Sequence, residues 1–231
     1  MNLEEIYLFS TNPKKLGELR DVFSGVRVES LGFVVKALPE VVEDGLSFEA
    51  NAKKKALAGA VASGHATIAD DSGLEVDALK GEPGVWSDRF AIRHGQIPPQ
   101  SDRDARTSAN NLLLLEMLKD SPKEQRGGRF VCALSCAFPS RLLDSERGKS
   151  ISELSRDDSG DWAMVTLRGT CEGYISSTMD GSGGFGYDPL FWSVDLQKTF
   201  GGATAEEKRS VSHRGRAAKK MKILLKEMGL L

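Results

Sequence analysis

Residues 6–15 read IYLFSTNPKK, and this order of residue types predicts a β-strand, a tight turn and a helix. The apolar run at its start is typical of a buried strand. Asn12 suits the capping position of a helix, and Pro13 suits the first position inside it. A helix that begins at such a turn presents free backbone N–H groups and the positive end of its dipole, so the turn suits a polyphosphate, with Lys14 and Lys15 adding charge. A capped helix with solvated lysines is the structural alternative.

The rest of the chain alternates between strand and helix patterns, which predicts the α/β class. We predict strands within residues 26–37, 66–69, 74–79, 130–138, 163–167 and 171–175, the last two paired, which favours a mixed central sheet. We predict a helix between Ser47 and Gly64 and capping boxes at Ser101–Asp104 and Thr204–Glu207. The helix after Asp104 is expected to turn Leu112, Leu115 and Leu118 inward, and a last helix is expected from about Ser212. The polar residues 140–160 are expected to form an exposed loop or hairpin tip.

The composition argues against several classes of protein. The 231 residues carry 31 Lys and Arg against 33 Asp and Glu, so the chain lacks the basic excess of a duplex nucleic-acid binder. No apolar run approaches the roughly 20 residues that span a bilayer. The acidic N-terminal residues do not resemble a secretory leader. We therefore expect a cytoplasmic protein with no nucleic-acid or membrane partner.

The three cysteines are Cys132, Cys136 and Cys171. Cys132 and Cys136 lie four residues apart in an apolar run, without a second cysteine pair or a nearby histidine. This pattern predicts buried free thiols and not a zinc site. An odd number of cysteines also suits a reducing compartment.

An acidic pair lies in residues 70–73, which read DDSG after a short apolar run. Adjacent carboxylates repel each other, so a cation or exposure to water must offset the repulsion. Mg²⁺ is a suitable cation because it binds a few carboxylate oxygens and keeps several waters. Glu43, Asp44 and Glu49 are acids elsewhere that could complete such a site. A turn with exposed acids is the structural alternative.

Two further segments combine turns with aromatic or basic residues. Residues 181–189 are rich in glycine, which lets a backbone approach a ligand closely, and Phe185 and Tyr187 could stack on a base. Lys208 and the SHRG sequence at 212–215 could donate to base carbonyls or phosphates. An ordinary turn and a capped helix with exposed basic residues are the structural alternatives. Together the segments match the needs of a nucleoside triphosphate.

Five motifs resemble those of the Ham1 family, the inosine triphosphate pyrophosphatases, in order and over nearly the whole chain. They lie at residues 10–15, 69–79, 83–87, 183–191 and 212–217. The resemblance implies one Ham1-like domain over residues 1–231, with a polar insertion near 140–160. It implies an elongated mixed sheet flanked by helices, with two lobes around a central nucleotide-binding cleft, and a homodimer. The implied reaction is Mg²⁺-dependent hydrolysis of ITP, dITP or XTP to the monophosphate and pyrophosphate, which cleanses the nucleotide pool.

The resemblance also implies roles for individual residues. Substrate binding falls to Ser10, Thr11, Asn12, Lys15, Lys55, Ser72, Phe185, Gly186, Tyr187, Asp188, Lys208, His213 and Arg214. Glu43 and Asp71 would hold the metal, and Asp70, Asp71 and Lys15 would serve catalysis. Asp71 is the assigned proton acceptor, although Asp70 could take that role. His213 or Arg214 would read the 6-keto edge of the purine.

Other functions compete with this one. A Maf-like nucleotide pyrophosphatase would act on other bases, and a nucleotide-binding regulatory protein would bind without catalysis. An RNA-binding module could use the C-terminal lysines, namely Lys219, Lys220, Lys222 and Lys226, but these are predicted to form the solvated face of an amphipathic helix.

Overall fold

The computed structural model describes residues 3–143 and 151–231. Within them the chain folds into two compact units. The first unit takes the residues up to Asp71, Cys132–Gly169 and Arg214–Leu231, and the second takes Ser72–Val131 and Thr170–His213. No helix in the described ranges combines the length and apolar character needed to cross a membrane.

Strands and helices alternate over the first half of the chain, as the α/β class requires. The strands in the described residues are β1 (Glu5–Leu8), β2 (Arg27–Ser30), β3 (Thr67–Val76), β4 (Gly127–Pro139), β5 (Leu154–Arg156), β6 (Trp162–Ile175), β7 (Phe191–Ser193) and β8 (Lys198–Thr199). The helices there are α1 (Pro13–Val22), α2 (Phe48–Ser63), α3 (Phe90–Arg93), α4 (Arg103–Met117), α5 (Ala205–Val211) and α6 (His213–Glu227).

The central sheet is mixed and flanked by helices, as predicted. Its strand order is β2-β1-β3-β4-β6-β7-β8, and β5 pairs with β6 away from this path. β1 is parallel to both β2 and β3, whereas β5 and β7 run antiparallel to β6. The parallel part begins with the strand–turn–helix unit formed by β1 and α1.

Helix α2 lies close to β3 because its inner face carries small residues. Ala56 and Ala60 pack in one apolar cluster with Ala69 of β3. A Cβ at Gly59 would lie only 2.7 Å from Cγ2 of Thr67. This close approach brings the longer polar side chains of α2 within reach of the middle of β3.

Several predicted helix ends are confirmed. Asn12 caps α1 by accepting a hydrogen bond from the Lys14 backbone N–H at 2.9 Å. Ser47 caps α2, which ends at Gly64 in the left-handed conformation. The capping box between Thr204 and Glu207 is present at the start of α5.

Two predicted strand breaks are wrong. Residues 66–69 and 74–79 were expected to be separate strands, but β3 is continuous from Thr67 to Val76, and residues 70–73 form no turn. Residues 163–167 and 171–175 likewise belong to one strand, β6, and do not pair with each other. In both cases polar residues suggested an interruption that the continuous strand accommodates. Only Arg27–Ser30 of the predicted region 26–37 forms a strand, and a 3-10 turn follows it.

Two further predictions need correction. The cap of α4 is Asp102, whose side chain accepts from the Ala105 backbone N–H, so no box forms at Ser101–Asp104. Leu112 is 61% exposed and does not belong to the inward face, whereas Leu118 is buried and Leu115 packs, partly buried, against the same apolar cluster as Leu114. The start predicted near Ser212 for the last helix is confirmed, since α6 begins at His213.

Part of the polar stretch 140–160 forms a hairpin with β6. A hairpin tip was one of the two structures expected for this stretch, the other being an exposed loop. β5 pairs with the first residues of β6. The turn between them is closed by the Asp157 carboxylate, which accepts from the Trp162 backbone N–H at 2.9 Å. Residues 144–150 lie outside the described residues.

The three cysteines are buried and form no disulfide among the described residues, which confirms the prediction of buried thiols. Burial raises the pKa of the Cys136 thiol to about 12. We therefore expect a thiol reagent such as dithionitrobenzoate to titrate no cysteine of the folded protein at neutral pH within minutes, because the thiolate is the reactive form. All three should react in guanidinium chloride. One fast-reacting equivalent in the native protein would contradict the burial described here.

Candidate functional site

The acidic pair of β3 is divided between two faces of the strand. Successive side chains of a strand point to opposite faces, and the contacts of Asp70 and Asp71 follow this rule. Asp70 contacts Lys15 of α1 and Arg214 of α6. Asp71 contacts residues of α2. The two carboxylates therefore have separate sets of partners.

Asp70 is buried and paired with two cations. The Lys15 Nζ lies 2.9 and 3.0 Å from its two carboxylate oxygens, and the Arg214 Nε lies 3.1 Å from Oδ2. Arg214 also donates to the Glu18 carboxylate at 3.2 Å. Burial alone would raise the pKa of Asp70, but Lys15 and Arg214 outweigh it and hold that pKa well below its usual range. Two positive and two negative charges balance within this group.

The turn before α1 is built by short polar side chains. The Asn12 backbone N–H donates to the Ser10 hydroxyl at 3.1 Å, and the Ser30 hydroxyl donates to the Ser10 carbonyl at 3.1 Å. Thr11 is exposed at the tip. Lys15 is the third residue of α1, which directs its side chain to Asp70.

Asp71 shares a lysine with Glu43. The Lys55 Nζ lies 3.1 Å from Asp71 Oδ1 and 3.1 Å from Glu43 Oε2. The Asn51 side-chain amide donates to Asp71 Oδ2 at 3.1 Å. Burial raises the pKa of Asp71, and Glu43 adds to the rise, while Lys55 and Asn51 act against it. Burial would lower the pKa of Lys55, but Asp71 and Glu43 raise it overall.

The donor set around Asp71 fits Mg²⁺. Asp71 and Glu43 carry two negative charges against one positive charge on Lys55, so this group has an excess negative charge that the Asp70 group lacks. Mg²⁺ commonly takes one or two protein carboxylates and completes its shell with water and substrate phosphates. No three His, Cys, Asp or Glu side chains cluster for metal binding within residues 3–143 and 151–231. The two carboxylates that share the Lys55 ammonium nevertheless provide the one or two protein ligands that Mg²⁺ commonly takes.

The other acids predicted to complete the site have different partners. Asp44 pairs with Lys54 at the surface. Glu49 lies 3.4 Å from Arg168. Of the three acids considered from the sequence, only Glu43 contacts the same lysine as Asp71.

In the second unit, the glycine-rich loop is fixed by Asp188. This buried carboxylate accepts from the Phe185 backbone N–H at 2.7 Å and from the Lys208 ammonium. Burial raises the pKa of Asp188, and Lys208 acts against the rise. Phe185 is 52% exposed, and the Lys208 Nζ lies 4.5 Å from its ring centroid. An exposed aromatic ring beside a cation is a suitable surface for a nucleobase.

Two contacts hold the residues that follow Phe185. The Asn111 side-chain amide of α4 donates to the Gly186 carbonyl at 2.9 Å, and Gly186 has a φ of +62°. Tyr187 is buried, and its hydroxyl donates to the Ser87 carbonyl at 2.9 Å. Burial raises the pKa of Tyr187, so this hydroxyl stays protonated.

His213 is held by an aromatic stack in the second unit. Its ring lies 5.3 Å from the Phe130 ring at an interplanar angle of 16°. Phe130 in turn stacks on Phe200, with centroids 5.7 Å apart. The Lys208 Nζ lies 5.1 Å from the Phe200 ring centroid. Two residues predicted to contact a base, Lys208 and His213, therefore share one aromatic support.

The structure divides the residues predicted for base recognition. Arg214 belongs to the first unit, where it pairs with Asp70, whereas His213 belongs to the second. Ser72 follows Asp71 in β3 and begins the second unit.

Sequence reasoning missed several residues that hold the site together. They are Glu18, Asn51, Asn111, Phe130 and Phe200. Asn51 had a signal, because a weak helix former lies one turn before Lys55 in a helix otherwise rich in Ala and Lys. The two phenylalanines had none, since apolar residues in strands are ordinary core residues.

Comparisons with known proteins agree with the motifs. Residues 6–224 match the sequence model of the Ham1 family. A dITP/XTP pyrophosphatase of Exiguobacterium sibiricum is 42% identical over 96% of this chain and 96% of its own. The solved structure of the Staphylococcus aureus Ham1 protein has a TM-score of 0.75 at 32% identity, covering 96% of this chain and 98% of that one. A nucleoside-triphosphatase, or dITP/XTP pyrophosphatase, from Mycobacterium abscessus has a TM-score of 0.66 at 40% identity, covering 94% and 98%.

Proposed function

Since the chain belongs to the Ham1 family, we propose that it hydrolyses ITP, dITP and XTP to the nucleoside monophosphate and pyrophosphate. The observation that supports this proposal best is the group formed by Asp71, Glu43 and Lys55. Its excess negative charge suits a divalent cation, and its lysine suits a phosphate.

Asp71 and Glu43 are the proposed ligands of Mg²⁺. The bound ion would neutralise phosphate charge and make a water molecule more acidic. Asp71, whose pKa is raised by burial, would accept the proton of the attacking water.

The lysines and the N-terminal turn would bind the triphosphate. Lys15 and Lys55 would offset the charge that develops on the pyrophosphate leaving group. Residues 10–12 lie before α1, whose first backbone N–H groups and dipole favour an anion. Asp70 would hold Lys15 in place, because the two are already paired in the free protein.

The purine would be recognised by residues of the glycine-rich loop and of the α5–α6 region. Phe185 would stack on the base, with Gly186, Tyr187 and Asp188 shaping the loop that carries it. Lys208, His213 and Arg214 are the proposed donors to keto oxygens. Donors of this kind are satisfied by the 6-keto group of hypoxanthine and left unpaired by the 6-amino group of adenine, a mismatch that can reject a substrate by ~10⁴-fold.

A panel of nucleoside triphosphates tests the proposed function. We expect pyrophosphate from ITP, dITP and XTP with Mg²⁺, far slower release from ATP, and loss of activity in EDTA. Pyrophosphate and orthophosphate should be assayed separately, because orthophosphate would indicate cleavage at the γ-phosphate. Release of orthophosphate, or equal rates with ATP and ITP, would contradict the proposal, and binding without turnover would indicate a regulatory protein.

The proposal also includes a homodimer that acts in the cytoplasm, as the resemblance to the family implies. Analytical ultracentrifugation of the purified chain measures the first point directly. A species of 25.1 kDa at micromolar concentration would contradict the dimer.

A further inference from the structure

The two ends of the Asn51 side chain contact Asp71 and the backbone segment that carries Glu43. The Asn51 Nδ2 donates to Asp71 Oδ2 at 3.1 Å, and its Oδ1 accepts from the Gly45 backbone N–H at 2.8 Å. Gly45 is two residues from Glu43, in the irregular segment 34–47 that precedes α2. Asn51 is only 2% exposed, so its amide is committed to these contacts.

The fit around Asn51 is tight. A Cβ at Gly45 would lie 2.5 Å from Asn51 Oδ1 and 2.9 Å from the Ala50 Cβ. A glycine is therefore required for the segment to come this close to α2. Asn is also a weak helix former, so its place inside α2 costs some helix stability. A local loss of stability of this kind is typical of residues that serve a functional site.

Lys55 makes a second connection, one turn further along α2. It contacts Asp71 and Glu43 directly, and it is charged. When these carboxylates hold a divalent cation, the Lys55 ammonium is repelled by a like charge. Asn51 is neutral, so no such repulsion acts on it. The Asn51 connection is therefore the one that can persist when the metal is bound and Lys55 turns to a phosphate.

We infer that Asn51 is a positioning residue that keeps Glu43 beside Asp71, by holding the segment 34–47 to β3. This inference rests on the proposed function, because it gives Asp71 and Glu43 a shared metal. Asn51 is not one of the residues proposed to hold the metal or the substrate. Its role is to orient one carboxylate and to fix the backbone that carries the other.

Hydrogen exchange of the Gly45 amide tests the backbone contact without any nucleotide. In Asn51→Ala this amide loses its acceptor, and we expect its exchange in NMR spectra to become faster by at least about fivefold. Asn51→Asp keeps the acceptor oxygen but replaces the donor to Asp71 with a second carboxylate. In that variant the Gly45 amide should stay closer to its original rate, so the two variants separate the two ends of the side chain.

Binding of Mg²⁺ alone tests the effect on the site. We expect calorimetric titration to show a 10- to 100-fold weaker affinity for Asn51→Ala, the usual effect of losing a residue that supports a metal ligand. Asn110→Ala is the matched control. Asn110 is also a buried asparagine, but it belongs to α4 and binds the Ala91 backbone N–H. It should change neither the Gly45 exchange nor the Mg²⁺ affinity.

Two results would overturn the inference. In the first, Asn51→Ala has the same Gly45 exchange rate and the same Mg²⁺ affinity as the unmodified protein. The other is an equal change in Asn110→Ala, which would reveal general destabilisation. If Asn51→Ala fails to fold, Asn51→Asp still tests the backbone contact, because fast Gly45 exchange in a variant that keeps the acceptor oxygen would contradict it. Failure of the proposed function is recognised separately, because the unmodified protein would then bind Mg²⁺ yet release no pyrophosphate from ITP.

Discussion

Replacing Asp71 with Asn is expected to lower kcat for ITP by at least about a hundredfold, the low end of the effect of a general base. The substitution keeps the size of the side chain and its position in β3, but it removes the group proposed to accept a proton. It also removes one of the two carboxylates that contact Lys55, so the excess negative charge of the group disappears. The measurement is steady-state pyrophosphate release from ITP over a range of Mg²⁺ concentrations.

The Mg²⁺ range separates the two roles proposed for Asp71. If Asp71 only bound the metal, saturating Mg²⁺ would restore much of the lost turnover. A persistent loss at saturation supports the role in proton transfer, and near-normal turnover there would refute it. Asp120→Asn is a suitable control, since Asp120 is exposed and far along the chain from β3.

Replacing Asp70 with Ala is expected to destabilise the protein by about 3–5 kcal/mol, the usual effect of removing one partner of a buried ion pair. Arg214 is buried and would lose the carboxylate that its Nε contacts, and Lys15 would lose the carboxylate that its Nζ contacts. Urea unfolding at pH 7 measures the effect. Asp120→Ala, at an exposed acid, should change stability by no more than about 0.5 kcal/mol.

The loss of stability in Asp70→Ala is expected to depend on pH. The pKa of Asp70 is lowered in the folded state, so its ionised form contributes stability that is complete above the unfolded pKa of about 3.9. That contribution is lost as the pH falls below this value towards the folded pKa. The difference in unfolding free energy between the unmodified protein and Asp70→Ala should therefore narrow below about pH 4. A difference smaller than about 1 kcal/mol at pH 7 would contradict the role of Asp70 as the counter-ion of a buried arginine.

Local sequence patterns predicted the parts of the fold that local chemistry controls. The cap at Asn12 and the apolar run before it are confirmed, because both depend on residues within a few positions of each other. The continuity of β3 was not predictable in this way. Its acids looked like the end of a strand because Lys15 and Arg214, which neutralise Asp70, lie 55 and 144 residues away.

The candidate site likewise has a part that the sequence indicated and a part that only the folded structure shows. The resemblance implied roles for Asp71, Lys55 and Glu43, and the Lys55 Nζ lies 3.1 Å from a carboxylate oxygen of each of the two acids. The residues alone left Asp44 and Glu49 open beside Glu43, but Asp44 pairs with Lys54 at the surface. The choice among these acids depends on how the segment 34–47 meets α2, and one of the contacts there joins the Gly45 backbone N–H to the Asn51 side chain.

Successive side chains of β3 point to opposite faces of the sheet, and this alternation limits insertions and deletions in the strand. One residue inserted between Thr67 and Asp70 would rotate both acids by half a period, so Asp70 would face α2 and Asp71 would face α1 and α6. A substitution in this strand affects one set of contacts, whereas a single insertion or deletion exchanges all of them at once. Relatives that keep the chemistry should therefore show no gaps here, and length variation should accumulate in the connecting loops.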